Sequence, residues 1–193
     1  MSAACLPVEN SFCEMRTCRL HLLPVSALDA ESMHRGLQAL NLYRFIPGEP
    51  PASVDELRAR YKRLESGRST DGKQLWYNWV ILDVASKCHI GFVQATMDIE
   101  DTYGCLLAYV LFEEAWGYGY GREAVGAVIQ HLLRTLKCST FKALIDTRNA
   151  PSINLVESLG FSKVATHLAA DYFKGSQSDE FEYLLYFGEP HYA

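Results

Sequence analysis

The sequence has no apolar run long enough to span a membrane, which takes about 18 consecutive residues or more. Its start, MSAACLPVENSFCEMRTC, has neither the basic head nor the apolar block of a secretory signal peptide. Basic residues are not in excess, because 18 lysines and arginines stand against 23 aspartates and glutamates, a formal net charge of −5. We therefore expect a protein that partners neither membranes nor nucleic acid.

Cysteine pairs at metal-ligand or redox spacing are also missing. No two of the six cysteines stand in a C-x-x-C arrangement. This favours reduced thiols in a cytoplasmic protein over disulfides, and it predicts no metal centre. The cysteines are Cys5, Cys13, Cys18, Cys88, Cys105 and Cys138.

The chain of 193 residues, 49% hydrophobic and 21% charged, has the size and composition of one globular domain. We place this domain at 17–193, after an N-terminal extension at 1–16. Alternating and apolar runs predict seven strands, at 17–25, 74–84, 89–99, 103–112, 141–146, 162–168 and 180–187. Helical spacing predicts helices at 27–43, 53–67, 122–137 and 150–160. This order predicts an α+β fold with a mixed, mostly antiparallel sheet of about seven strands and one parallel crossover.

The stretch WGYGYGREA places three glycines on alternate positions just before the helix predicted at 122. A helix N-terminus carries unpaired N–H groups and a partial positive charge, so it can bind a phosphate if no side chain blocks the approach. We interpret the stretch as a phosphate cradle, with a plain flexible turn as the alternative. Its residues are Trp116, Gly117, Tyr118, Gly119, Tyr120, Gly121 and Arg122, the last adding a permanent positive charge.

Two other phosphate motifs fit less well. GYGREA matches the dinucleotide fingerprint G-x-G-x-x-A, and Asp146 could serve as the ribose-binding acid. However, EEAW separates the preceding strand from the glycines, and too few residues follow Asp146 to complete a doubly wound sheet. The P-loop is excluded because no GK[ST] follows.

The segments AYVLFEEAWGYGYGREAV and DTRNAPSINLVESLGF, in this order and spacing, resemble the two main motifs of the GNAT superfamily of acyl-CoA N-acyltransferases. N-A-P-S resembles the Rim-type branch, which acetylates the N-termini of ribosomal proteins. The resemblance implies a splayed sheet with helices on both faces and acetyl-CoA as co-substrate. It implies acetyl transfer to a primary amine, of a small molecule or a protein N-terminus, by direct attack in a ternary complex. It is compatible with a monomer or a homodimer.

The resemblance also implies which residues bind acetyl-CoA. The backbone of Tyr109, Val110 and Leu111 would hold the pantetheine arm in the splay of the sheet, and Asn149 would anchor it from the other side. The glycine-rich stretch from Trp116 to Arg122 would bind the pyrophosphate. Trp116 departs from the family, which has Gln or Arg at its position.

For catalysis, the resemblance suggests that Ser152 supplies a proton to the departing sulfur and that Asp171 acts as the base. The alternatives are a helix-capping serine and a solvated loop carboxylate, and His167 could also be the base. Val156 stands where many members carry a proton-donating tyrosine. This departure keeps open a non-catalytic acyl-CoA-binding or sensor module. The acceptor would enter over the strand at 74–84 and the loop at 42–52, where Tyr43, Trp76, Tyr77 and Trp79 could form walls.

Overall fold

The computed structural model describes residues 13–101 and 104–188. Within them, eight strands form one sheet in the order β1-β2-β3-β4-β5-β6-β8-β7. The strands are β1 Met15–Arg16, β2 Leu20–Pro24, β3 Gln74–Asp83, β4 His89–Asp98, β5 Gly104–Leu111, β6 Thr140–Asp146, β7 Ser162–Phe173 and β8 Ser176–Tyr186. The helices are α1 Ala30–Gly36, α2 Val54–Leu64, α3 Tyr120–Thr135 and α4 Ala150–Ser158. None of the helices in the described ranges is long and apolar enough to cross a membrane.

The predicted architecture, a mixed and mostly antiparallel sheet with one parallel crossover, is confirmed. Every neighbouring pair of strands is antiparallel except β5 and β6. The sheet has one strand more than the seven predicted, because Met15 and Arg16 pair with Leu22 and His21. The sheet therefore begins within the segment that we interpreted as an extension.

The single helix predicted at 27–43 is wrong. Three short elements stand there: a 3₁₀ turn at Ala27–Asp29, the helix α1, and a second 3₁₀ turn at Leu40–Tyr43. The helix ends at Gly36, which packs against the Phe112 ring so closely that a Cβ would lie 2.2 Å from it. The helical pattern of 27–43 is thus interrupted at Gly36, its one glycine, by this contact with Phe112.

Helices cover both faces of the sheet, since successive strand residues point to opposite sides. On one face α3 and α4 pack on a core that includes Trp79, Val93 and Phe141. On the other face α1 and α2 cover a smaller cluster around Val80 and Phe112. Each face carries a different part of the site described below.

The sheet is splayed in its middle. The parallel pairing of β5 and β6 is confined to Gly104–Leu106 and Thr140–Lys142. β5 nevertheless stays paired with β4 as far as Leu111. The edge of β5 from 107 to 111 therefore faces β6 across an opening, and this opening is called the splay below.

Candidate active site

The turn at 116–121, here the glycine turn, joins the end of β5 to α3. Gly117 and Gly119 have φ of 81° and 77°, a left-handed conformation that side chains rarely adopt. Gly119 is the N-cap of α3, so the helix begins at Tyr120 and not at Arg122 as predicted. Among the described residues, no main-chain carbonyl accepts from the N–H groups of 117–119, and the first N–H groups of a helix have no partner within it. The turn thus presents a run of N–H donors at the positive end of α3.

The third glycine has a different structural reason. Gly121 is buried, and a Cβ there would lie 2.6 Å from Cδ1 of Leu155 on α4. Its missing side chain allows α3 and α4 to approach each other. By contrast, a Cβ at Gly117 would meet no atom of the described chain within 4 Å, so that position is open to a ligand.

A hydrogen bond from Trp116 joins the glycine turn to the end of β5. Its indole N–H donates to the carbonyl oxygen of Leu111 at 2.7 Å, while 48% of the residue stays exposed. The hydrogen-bonding group of this side chain is therefore engaged by the end of β5. Tyr118 and Arg122 are exposed beside it, and the rings of Tyr118 and Tyr120 lie 6.1 Å apart.

The glycine turn is held by Arg19, which the sequence analysis missed. Arg19 donates through Nη1 to the carbonyl of Tyr118 at 2.8 Å, and through Nε and Nη2 to Glu123 at 2.7 and 2.6 Å. Its guanidinium carbon lies 4.5 Å from the centre of the Tyr120 ring. Thr17 donates to the same carboxylate at 2.5 Å. These bonds link segments 104 residues apart, so no local pattern could indicate them.

Only alternate residues of β5 turn their main-chain groups toward the splay. The N–H of Phe112 donates to Ile90 of the β4 side, and a Cβ on Gly91 would lie 2.1 Å from the carbonyl oxygen of Val110. Since the groups of an antiparallel pair alternate, Val110 faces β4 while Tyr109 and Leu111 face the splay. The backbone groups that could hold an extended chain are therefore those of Tyr109 and the N–H of Leu111, since the carbonyl oxygen of Leu111 already accepts from Trp116.

The start of α4 meets β5 across the splay. Asn149 is the N-cap of α4, and its Oδ1 accepts from the N–H of Ser152 at 3.3 Å. The hydroxyl of Tyr109 donates to the carbonyl oxygen of Ser152 at 3.2 Å. Burial raises the pKa of Tyr109 to about 12, so this phenol stays protonated at neutral pH. The fold thus brings together three of the predicted site residues, while Val156 is a buried core residue.

Asp171, the predicted base, lies on β7 and not in a loop. Its Oδ1 accepts from the N–H of Tyr172 at 2.7 Å, and the structure describes no contact between Asp171 and Asn149 or Ser152. On the neighbouring strand β8, burial raises the pKa of the partly buried Glu180, and the charge of Asp171 raises it further. Glu180 is therefore a second carboxylate suited to accept a proton, and the sequence analysis missed it. In the sequence, the alternation of acidic and aromatic residues in DEFEY (179–183) could have indicated Glu180.

His167 is engaged by another carboxylate. Its Nε2 lies 2.7 Å from Oε2 of Glu182, and Lys142 lies 3.0 Å from the other oxygen of that carboxylate. Hydrogen bonds from His167 and Lys142 lower the pKa of Glu182. This group forms an ion-pair network on β6, β7 and β8.

A pocket of about 120 Å³ lies between α2, the segment that follows α1, and the sheet. Val110 of β5 forms part of its wall, so the pocket reaches the strand that borders the splay. The predicted entry loop contributes to it, and Tyr43 is one of its walls. Of the other aromatics we considered, the buried Trp79 also lines the pocket, whereas Trp76 and the core residue Tyr77 are not part of its lining. The remaining lining includes Leu37, Leu42, Ile46, Glu49, Leu57, Arg60, Tyr61, Asn78, Phe92 and Gln94.

The tip of the β7–β8 hairpin contacts the segment that follows α1. Lys174 donates from Nζ to the carbonyl oxygen of Tyr43, and Nζ lies 5.9 Å from the centre of that ring. The hairpin that carries Asp171 and Glu180 therefore contacts the segment that lines the pocket.

The fold and the glycine turn match a known family. A model of the acetyltransferase (GNAT) domain matches residues 19–162 of the chain. The chain belongs to the GNAT acetyltransferase family. The predicted family is thereby confirmed, and the glycine turn and α4 lie within the matched range.

Relatives of this GNAT chain include acetyltransferases with different acceptors. It is 36% identical over 81 residues to the human alpha/beta-tubulin-N-acetyltransferase 9. The matched segment covers 41% of this chain and 39% of that relative. Its fold is similar to that of RimL, a ribosomal L7/L12 alpha-N-protein acetyltransferase in complex with coenzyme A (TM-score 0.80, 16% identity, 90% of this chain and 98% of the other). It is also similar to spermidine N-acetyltransferase from Vibrio cholerae in complex with CoA and spermine (TM-score 0.74, 18% identity, 88% and 96%).

Proposed function

We propose that this protein transfers an acetyl group from acetyl-CoA to a primary amine. The observation that carries the proposal is the splay. At one end it has a turn whose N–H groups meet no main-chain acceptor among the described residues, and a pocket reaches its bordering strand from the opposite face. Such an arrangement lets a thioester and an amine meet within the sheet from two sides. Direct attack in a ternary complex then needs no covalent enzyme intermediate.

In this proposal the glycine turn and the start of α3 bind the pyrophosphate of acetyl-CoA. The N–H groups of 117–122 supply the donors, and Arg122 adds a cation. The pantetheine arm lies in the splay against the main-chain groups of Tyr109 and Leu111, with Asn149 on the other side. The open space beside Gly117 fits this assignment, because the backbone can approach an anion closely there.

The chemistry requires a neutral amine, a stabilised carbonyl oxygen and a protonated leaving thiolate. We propose that Glu180 accepts the proton of the amine, with Asp171 raising its pKa. We propose that the N–H of Tyr109 polarises the thioester carbonyl. The hydroxyl of Ser152 would donate to the departing sulfur, while the hydroxyl of Tyr109 donates to the carbonyl oxygen of Ser152 and holds the start of α4 at the splay.

The test is a thiol-release assay with acetyl-CoA and a panel of amines, together with a titration of CoA binding. Gly119→Val should weaken CoA binding more than tenfold, because the side chain would distort the left-handed turn and block the phosphate. Gly72→Val is the matched control, since Gly72 also has a positive φ of 72° and open surroundings. Equal CoA affinity in the two variants would contradict the assigned cradle.

A non-catalytic acyl-CoA-binding or sensor module is the second candidate. Two observations favour it: Trp116 uses its indole N–H on Leu111, and position 156 is a buried valine. CoA binding with no amine-dependent thiol release would support the module. Amine-dependent release would support the enzyme.

We further propose a cytoplasmic location. In the described structure Cys18, Cys88 and Cys105 form no disulfide bond, as expected in a reducing compartment. β1 and β7 are the edges of the sheet, and β7 offers an exposed strand that a second copy could pair with. Both a monomer and a homodimer fit these edges.

A further inference from the structure

Two residues that line the pocket carry a buried hydrogen-bonding group with no partner among the described residues. The amide nitrogen of Asn78 and the hydroxyl of Tyr61 are both inaccessible, and each residue is 5% exposed. Leaving such groups unsatisfied destabilises the fold, so natural proteins rarely do so without a reason. Both residues line the pocket, so a ligand bound there would lie beside them.

Both groups are hydrogen-bond donors. An amide nitrogen can only donate. Burial raises the pKa of Tyr61 far above its ordinary value of 10.0, so the phenol keeps its proton. A ligand that satisfies both must therefore bring an oxygen acceptor.

The rest of the pocket selects for an apolar group. Its wall is largely aliphatic and aromatic, formed by Leu37, Leu42, Ile46, Leu57, Phe92 and Val110. Among the described residues, Glu49 is the one carboxylate in the lining; it is exposed, and the exposed Arg60 also lines the pocket. A second ammonium group, as in a polyamine, would find no buried carboxylate in this pocket.

We infer that Asn78 and Tyr61 are specificity-determining residues for an amine that bears a carbonyl oxygen next to an apolar group. The first residue of a peptide has this chemistry: its apolar side chain fits the aliphatic wall, and its carbonyl oxygen accepts from Asn78 and Tyr61. This inference rests on the proposed function, since it assigns the pocket to the acetyl acceptor. It favours peptide N-termini over polyamines as acceptors.

The experiment compares three probes in the presence of CoA: the peptide Leu-Gly-Gly-amide, 3-methylbutylamine and spermidine. Binding is measured by calorimetry and acetylation by thiol release. The peptide should bind at least tenfold more tightly than 3-methylbutylamine, which has the same apolar group without the carbonyl. Tyr61→Phe and Asn78→Leu should each weaken peptide binding about fivefold and leave 3-methylbutylamine unaffected.

Stability supplies a second readout. Tyr61→Phe should leave the melting temperature unchanged or raise it, because the hydroxyl loses no partner. Tyr183→Phe is the matched control: its buried hydroxyl donates to Glu157 at 2.9 Å on the opposite face. That variant should lower the melting temperature and leave peptide binding unchanged.

The outcomes separate this inference from the proposed function. Equal binding of peptide and alkylamine, preference for spermidine, or unchanged peptide affinity in both pocket variants would overturn the inference while leaving acetyl transfer intact. Selective peptide binding without acetylation would support the inference about the pocket and contradict the proposed activity.

Discussion

At the residue scale, Arg19 and Glu123 determine the shape of the proposed phosphate site without belonging to its motif. Burial would raise the pKa of Glu123, but hydrogen bonds from Thr17 and Arg19 outweigh it and lower the pKa. The carboxylate therefore stays charged at neutral pH and holds Arg19 against the carbonyl of Tyr118. We interpret Arg19 as a positioning residue for the glycine turn.

Arg19→Met should weaken CoA binding about fivefold, because the carbonyl of Tyr118 loses its donor and the turn loses its fixed shape. Charge-assisted bonds of this kind contribute about 1–2 kcal/mol, so the free energy of unfolding should also fall by about that amount. The matched control is Arg16→Met, since Arg16 is exposed and pairs only with Glu14 at 3.6 Å in the described structure. Urea unfolding and a CoA titration measure the two effects. A loss of stability with unchanged CoA affinity would contradict the positioning role.

The pH profile of kcat/KM distinguishes Glu180 from Asp171 as the base. If Glu180 is the base, kcat/KM rises with pH as Glu180 loses its proton, at a pKa above its ordinary value of 4.5. This rise is the acidic limb of the pH profile. Glu180→Gln should remove this limb and reduce kcat about 100-fold. Asp171→Asn should keep the limb and move it to lower pH, because the charge of Asp171 helps to raise the pKa of Glu180.

The control for this profile is Glu182→Gln, a neighbouring glutamate held by His167 and Lys142. It should retain the limb. Loss of the limb in Asp171→Asn, with Glu180→Gln unaffected, would show instead that Asp171 is the base.

At the scale of elements, the junction of β6, β8 and α4 depends on Asp146. Its carboxylate accepts from Nε and Nη2 of Arg148 at 2.9 and 2.6 Å and from Ser178 at 2.7 Å. The bonds from Arg148, opposed by burial and aided by Ser178, lower the pKa of Asp146 to about 2. This residue, considered earlier as a ribose-binding acid, thus fixes the end of β6 and the turn that leads to Asn149.

A depressed carboxylate pKa stabilises the fold above the unfolded-state pKa, near 3.8, and this contribution is lost as pH falls toward 2. Asp146→Asn should therefore lower the free energy of unfolding by about 2 kcal/mol at pH 6 and by little at pH 2. Urea unfolding at several pH values measures this difference. Asp98→Asn, at an exposed strand end, is the control, and a pH-independent deficit in Asp146→Asn would contradict the assigned linkage.

At the scale of the whole molecule, the splay divides the proposed reaction between the two faces of one sheet. The glycine turn belongs to the face covered by α3 and α4, and the pocket belongs to the face covered by α1 and α2. Strand β5 borders both regions: Tyr109 and Leu111 turn their main-chain groups toward the splay, while Val110 lines the pocket. A single strand therefore connects the proposed CoA site with the proposed acceptor site.

The sequence by itself determined the elements whose signals are local. The alternating strands, the amphipathic α3, the glycines of the turn and the Asn149 cap all depend on spacing within a few residues, and they were enough to identify the family. Only the tertiary structure decided the rest. It ended α1 at Gly36 against Phe112, assigned Gly121 to helix packing and brought Arg19 to Glu123. It also left the buried polar groups of Asn78 and Tyr61 without partners among the described residues. Those contacts join segments far apart in the chain, where burial and distance, and not local periodicity, determine which groups meet.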